Sequence, residues 1–170
     1  MTEENELGRR AAAGDAAAFA ALVRLHEAKV RRFLSRLLRG EGPDDLAQET
    51  FIRAWRMRAA WREEGSYGAW LMRIAWTSFL NARRASDRQQ ERDQRAYEAS
   101  DCSSTAPAEA RVDLTRALAS LDHRERAAAM LCFAEGYSHV EAAAIMRLPL
   151  GTLKSIVARA RTRLVASLEP

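Results

Sequence analysis

Two helical registers meet at Arg147-Leu148-Pro149-Leu150-Gly151, and that break constrains the fold more than any other stretch of the chain. Upstream, Ser138 is a good N-cap and Glu141 follows three residues later, so a capping box opens a helix. Ala142, Ala143, Ile145 and Met146 give that helix a small apolar face. Pro149 disfavours helix at Leu148, and Gly151 is expected to supply a tight turn. Downstream, Leu153, Val157, Ala160 and Leu164 recur at helical spacing as a buried stripe. Thr152, Ser155, Ile156, Arg159 and Arg163 fall on another face, flanked by Lys154 and Arg161. Two short helices, a tight turn and a cationic second helix match a helix-turn-helix reader of the DNA major groove. The competing reading is a plain helical hairpin with a solvated basic face.

The 170 residues suffice for one medium domain or two small ones, and 48% hydrophobic content supports a packed core. A net charge of +4 is mild, so its distribution decides more than its sum. From Leu148 onward, Lys154, Arg159, Arg161 and Arg163 face only Glu169. Cys102 and Cys132 lie far apart with no metal-ligand spacing, which fits a reducing cytoplasm rather than a disulfide or zinc framework. The acidic start MTEENELGRR does not read as a signal peptide, and no apolar run approaches the roughly 18 residues of a membrane span. No cofactor is expected. His26, His123 and His139 fall on separate elements and form no evident catalytic or metal set, so the chain does not read as an enzyme.

The remaining pattern predicts an all-α chain without strand-like alternation or a phosphate-binding glycine loop. Residues 1–14 read as a tail. A helix is predicted from Asp15 through Leu37, carrying Phe19, Leu22, Val23, Val30, Phe33 and Leu34, and Gly40-Glu41-Gly42-Pro43 ends it. A second runs from about Asp44 to Ala60. One of its faces holds Asp45, Gln48, Glu49, Ile52, Arg53 and Arg56. Ile52 is the misfit there: either a lone exposed apolar residue or the centre of a protein contact with a polar rim. WREEGS (residues 61–66) reads as a loop. The third helix, Tyr67 to about Arg84, is apolar nearly all round, which predicts burial between two neighbours or, for one or two aromatics beside Arg83 and Arg84, stacking on unpaired bases. Residues 86–108 are polar and then Ser/Thr/Ala-rich, as in a flexible linker with a helical first part. A second unit follows over 109–168, with Asp122 and Glu125 capping the helix before the helix-turn-helix. The expected fold is therefore two small helical domains, over 15–85 and 109–168.

PDDLAQETFIRAWR followed by GSYGAWLMRIAWTSFLNARR resembles region 2 of the extracytoplasmic-function (group IV) sigma factors of bacterial RNA polymerase. SLDHRERAAAMLCFAEGYSHVEAAAIMRLPLGTLKSIVARARTRL resembles their region 4. The resemblance implies a sigma region 2 helical bundle and a sigma region 4 helix-turn-helix. It implies an alternative sigma factor that binds core RNA polymerase and recognises the −10 and −35 promoter elements. Asp45, Gln48, Glu49 and Ile52 would dock on the β′ clamp, and the second unit would meet the β flap. Trp61, Arg62, Ser66, Trp76, Arg83 and Arg84 would contact the −10 element as it melts. Thr152, Lys154, Ser155, Ile156, Arg159 and Arg163 would read the −35 duplex. The polymerase would do the chemistry, in the cytoplasm, and an anti-sigma factor is the implied regulator.

Three positions depart from the family pattern. Trp76-Thr77 stands where many members have Arg-Asn, Asp122-His123 replaces the common Pro-Pro, and Ile156 sits where Arg is frequent. Ile156 either packs on a thymine methyl or loses a contact. The alternative functions are a sigma-like mimic that sequesters an anti-sigma factor and a helix-turn-helix regulator that acts without polymerase.

Overall fold

The computed structural model describes residues 3–38, 42–96, 117–118 and 120–168. Among them there is helix but no strand. Residues 3–12 are not a tail: Glu3–Ala12 form helix α1, with Glu3, Glu4 and Glu6 in the first turn and Arg9 and Arg10 in the last. That arrangement of charge complements the helix dipole. Asp15 then caps α2 (Ala16–Leu38), its carboxylate accepting from the Ala17 and Ala18 amides at 2.9 and 3.0 Å. The α2 stripe of Ala18, Leu22, His26, Val30, Phe33, Leu34 and Leu37 is buried, as the apolar spacing predicts.

Gly42 (φ 84°) and Pro43 open α3 (Pro43–Arg56), and a 3-10 turn over Arg58–Ala60 follows. The expected single helix to Ala60 therefore ends four residues early. The 30-residue α4 (Tyr67–Ala96) rises about 45 Å and runs well past Arg84, the expected end. Its extension through ASDRQQERDQRA is built of helix formers with i,i+4 support: Arg83 pairs with Asp87, and Arg88 donates to the Arg84 carbonyl. Residues 86–96, expected as the helical first part of a linker, form the continuous end of α4. The rest of that linker, and the expected start of the second unit at 109, lie outside the described residues.

The second unit comprises α5 (His123–Ala129) continued by a π-turn over Met130–Ala134, then α6 (His139–Met146) and α7 (Leu150–Leu168). Both expected capping boxes form. Asp122 accepts from the Arg124 and Glu125 amides while Glu125 accepts from the Asp122 amide; Ser138 and Glu141 repeat the exchange. The turn between α6 and α7 is made differently from expectation. Arg147 adopts the left-handed conformation (φ 54°), with the Leu148 amide donating to the Ala143 carbonyl, and Gly151 already lies within α7.

Helices α1, α2, α3 and α4 pack in sequence as the first unit, and α5, α6 and α7 as the second. The units also meet: α4 packs on α6 and α2 on α5, and one apolar cluster runs through both. This explains an α4 buried on two sides. Leu71 and Ile74 are buried on one side of α4, and Met72, Trp76 and Phe79 on another.

Candidate nucleic-acid and polymerase interfaces

On α3, Asp45, Gln48, Glu49 and Ile52 are all exposed, Ile52 to 44%. The spacing 45, 48, 49, 52 places them on one helical face. Glu49 pairs with Arg53 at 2.7 Å. Ile52 also borders a groove of about 610 Å³ between α2 and α3, walled by Phe19, Val23, Phe51 and Trp55. The Phe19 and Trp55 rings lie 5.0 Å apart and the Arg58 guanidinium covers Trp55. Helix α2's share of this surface was hidden in the sequence, because Phe19 and Val23 read there as core.

The 61–66 loop keeps only part of its expected −10 set accessible. Trp61 is 6% exposed, edge-on to Tyr67 at 5.4 Å and packed over Gly8 of α1, where an added Cβ would come within 2.6 Å of the indole. In this arrangement the indole packs α1 against the bundle and presents no open face for stacking. The Ser66 hydroxyl accepts from the Ala69 amide at 3.1 Å and caps α4. Arg62 and, on α4, Arg83 and Arg84 are exposed. Trp76 is 3% exposed, stacked on Phe79 (5.6 Å, 23°) and on His123 of the second unit (6.2 Å, 20°), so in this arrangement it meets no DNA. The Arg83 guanidinium reaches His123 Nδ1.

Helix α7 presents Thr152, Lys154, Ser155, Arg159 and Arg163 to solvent. Ile156 is a correction: it is 4% exposed and belongs to the core with Leu153, Val157 and Ala160. The buried stripe is one position wider than the sequence spacing indicated, because both α5 and α6 pack on α7. An apolar residue there is packing, not a thymine reader. Glu125, read from sequence only as a cap, is 2% exposed and takes Arg163 at 2.8 Å and Arg159 at 3.5 Å. One buried carboxylate thus ties Arg159 and Arg163, two of the exposed arginines of α7, to the start of α5. No local pattern announces a pair 34 or 38 residues apart.

A further network ties α1 to the bundle. Glu4 accepts from the Gly68 amide at the start of α4 (2.6 Å) and lies 3.3 Å from His26 Nε2. The His26 hydrogen bond, against the opposing effect of burial, holds the Glu4 carboxyl below its ordinary value.

Family models agree with this division. Residues 22–89 match sigma-70 region 2 and residues 111–164 match sigma-70 region 4. The ECF RNA polymerase sigma factor SigM of Mycobacterium tuberculosis is 34% identical over 155 residues, 89% of this chain and 78% of that protein. The sigma factor RpoE, solved with the anti-sigma factor NepR from Bartonella quintana, superposes with a TM-score of 0.74 at 29% identity, covering 88% of this chain and 96% of that one. CnrH, solved with the cytosolic domain of CnrY, gives 0.73 at 25% identity, over 97% and 96%. With region 2 in α2–α4, region 4 in the helix-turn-helix, and relatives aligned across both, the chain belongs to the ECF RNA polymerase sigma factors and is an alternative sigma factor of transcription initiation.

Proposed function

We propose that this sigma factor docks on core RNA polymerase through the Asp45/Gln48/Glu49/Ile52 face of α3, reads the −35 duplex with α7, and contacts the melted −10 element with Arg62, Arg83 and Arg84. The observation that carries this reading is the pairing, on one chain, of an exposed isoleucine in a polar ring with a separate exposed basic helix face. An apolar centre within a polar rim suits a protein partner, and Lys154, Arg159 and Arg163 suit phosphates and guanine edges. The β flap is the second polymerase contact. The factor itself performs no chemistry: polymerase in the cytoplasm makes the RNA. No described helix is long and apolar enough to cross a membrane, consistent with that site of action.

An anti-sigma factor is the proposed regulator, since RpoE was solved with the anti-sigma factor NepR and the groove beside Ile52 offers apolar surface to a competitor of polymerase. The exposed basic face of α7 disfavours a mimic that binds only the regulator, and the α3 face disfavours a regulator independent of polymerase.

The test is a titration of core polymerase with wild type and Ile52→Asp. The variant is expected to retain its helix content and to bind more weakly by over ~1 kcal/mol, as for a residue central to an interface. Equal affinities would reject the α3 docking site.

A further inference from the structure

Helix α1 holds the 61–68 segment at three places. Glu4 accepts from the Gly68 amide at 2.6 Å, just past the end of the loop. Gly8, one turn on, receives the Trp61 indole and the Tyr67 ring; an added Cβ would come within 2.6 Å of the first and 3.0 Å of the second. Arg9 places its guanidinium 3.4 Å from the Glu63 carboxylate, within the loop. Helix α1 also packs on the 3-10 turn over Arg58–Ala60 that leads into this segment. We propose that α1 is a specificity element of the −10 site: Glu4, Gly8 and Arg9 are positioning residues that fix the loop, so that Arg62 meets an unpaired base of the melted strand in one orientation. The proposal rests on the −10 reading above, in which Arg62 contacts that strand.

Arg62 is exposed, and both its neighbours in the chain, Trp61 and Glu63, are held by α1. The loop does not set this direction alone. Glu63 lies in the left-handed region (φ 58°) and Gly65 follows at φ 99°, with the Gly65 amide donating to the Glu63 carbonyl at 3.0 Å. A non-glycine residue keeps a left-handed conformation only where its surroundings over-determine it, and α1 supplies those surroundings.

A long arginine side chain distinguishes bases only when its backbone is fixed, because a productive contact needs placement to within about 0.5 Å. The Arg9–Glu63 pair is partly exposed and adds little to stability, so its effect is on where the loop sits. The Gly8 contact is the tight one: Trp61 is buried there, and its indole has no room to accept a methyl without moving. A shift of Trp61 carries the adjacent Arg62 with it.

The experiment uses the full-length factor with core polymerase and a barcoded promoter library randomised over both the −10 and −35 elements, and reads base preference at each position from the transcripts. Arg62→Ala is expected to lose about 5-fold or more of the preference at one −10 position, the lower end for a bidentate arginine–base contact. Gly8→Ala is expected to lose preference at the same position by a similar factor, because the added methyl displaces the Trp61 indole. Alanine is the better helix former, so α1 itself is not weakened. Gly8→Ala/Trp61→Phe removes the ring atoms that the methyl meets and should restore the preference. The −35 preferences should stay unchanged in all three. Loss at that position in Arg62→Ala but not in Gly8→Ala overturns the inference. So does a Gly8→Ala factor that transcribes every sequence less while keeping its preferences, the mark of a merely structural role. Where Gly8→Ala unfolds the factor, Glu63→Gln, which releases the loop from Arg9 without a clash, must show the same loss, and its absence overturns the inference as well. Unchanged −10 preferences in Arg62→Ala overturn instead the −10 reading of Arg62, and the positioning role with it.

Discussion

At the scale of single residues, the side of α7 that a residue faces decides whether it packs or meets DNA. Ile156 is one helical step from the Leu153/Val157 stripe and four residues from Ala160 and Thr152, so spacing alone assigns it to either side. Packing of α5 and α6 assigns it to the core. Ile156→Ala is expected to destabilise the protein by about 2–5 kcal/mol, the usual cost of emptying a buried isoleucine site. Preference among −35 sequences should stay unchanged in the folded fraction. Urea denaturation and competitive duplex binding check both halves. A stable variant with altered preference would return Ile156 to the reading face. Glu125 shows the converse case, where a residue legible as a cap also sets the positions of Arg159 and Arg163.

At the scale of elements, α1 is the addition that sequence patterning did not supply. Its apolar face is narrow, built from Gly8 and Ala11, and its attachment relies on polar contacts with elements remote in sequence. Small size is what lets it dock, since Gly8 leaves room for the Trp61 indole. Docking should therefore depend on the charge of Glu4. Its carboxyl lies below the ordinary 4.5, chiefly through His26, with the Gly68 amide adding to this. A depressed carboxylate value stabilises the docked helix fully above about 4.5, and that stabilisation is lost as pH falls through the docked value. Acid titration is expected to release α1 and expose Trp61, read as a red shift and increased quenching of tryptophan emission. Glu4→Gln should show less docking at neutral pH and no such acid step. An acid step that persists in Glu4→Gln would assign it to another group.

At the scale of the whole molecule, the two units are held by contacts between charges and rings that lie far apart in sequence. His123 is the titratable member. Burial, and then the Arg83 guanidinium, lower its value below the ordinary 6.5, with Arg124 and Arg126 acting in the same sense and Asp122 opposing. Asp87 of α4 lines the same cleft. The neutral ring is favoured where the two units pack, so its contribution to that packing is fully present above about 6.5 and is lost as pH falls below it. Stability to urea is expected to fall on acidification from pH 7.5 toward 5.5 more steeply in wild type than in His123→Ala. Equal pH dependence in the two proteins would show that His123 is not the group responsible. The sequence by itself determined helices α2 to α7 apart from their ends, both capping boxes, the division into region 2 and region 4, and the exposed face of α3, because these follow from local spacing and from motifs contiguous in the chain. Only the tertiary structure decided that α1 is part of the bundle, that Trp61, Trp76 and Ile156 are packed rather than presented, and that Glu125 and Glu135 bind arginines on distant helices. An apolar or acidic side chain carries no local mark of which neighbour will cover it; that is set by contacts across 30 to 100 residues of sequence, where no helical period reaches.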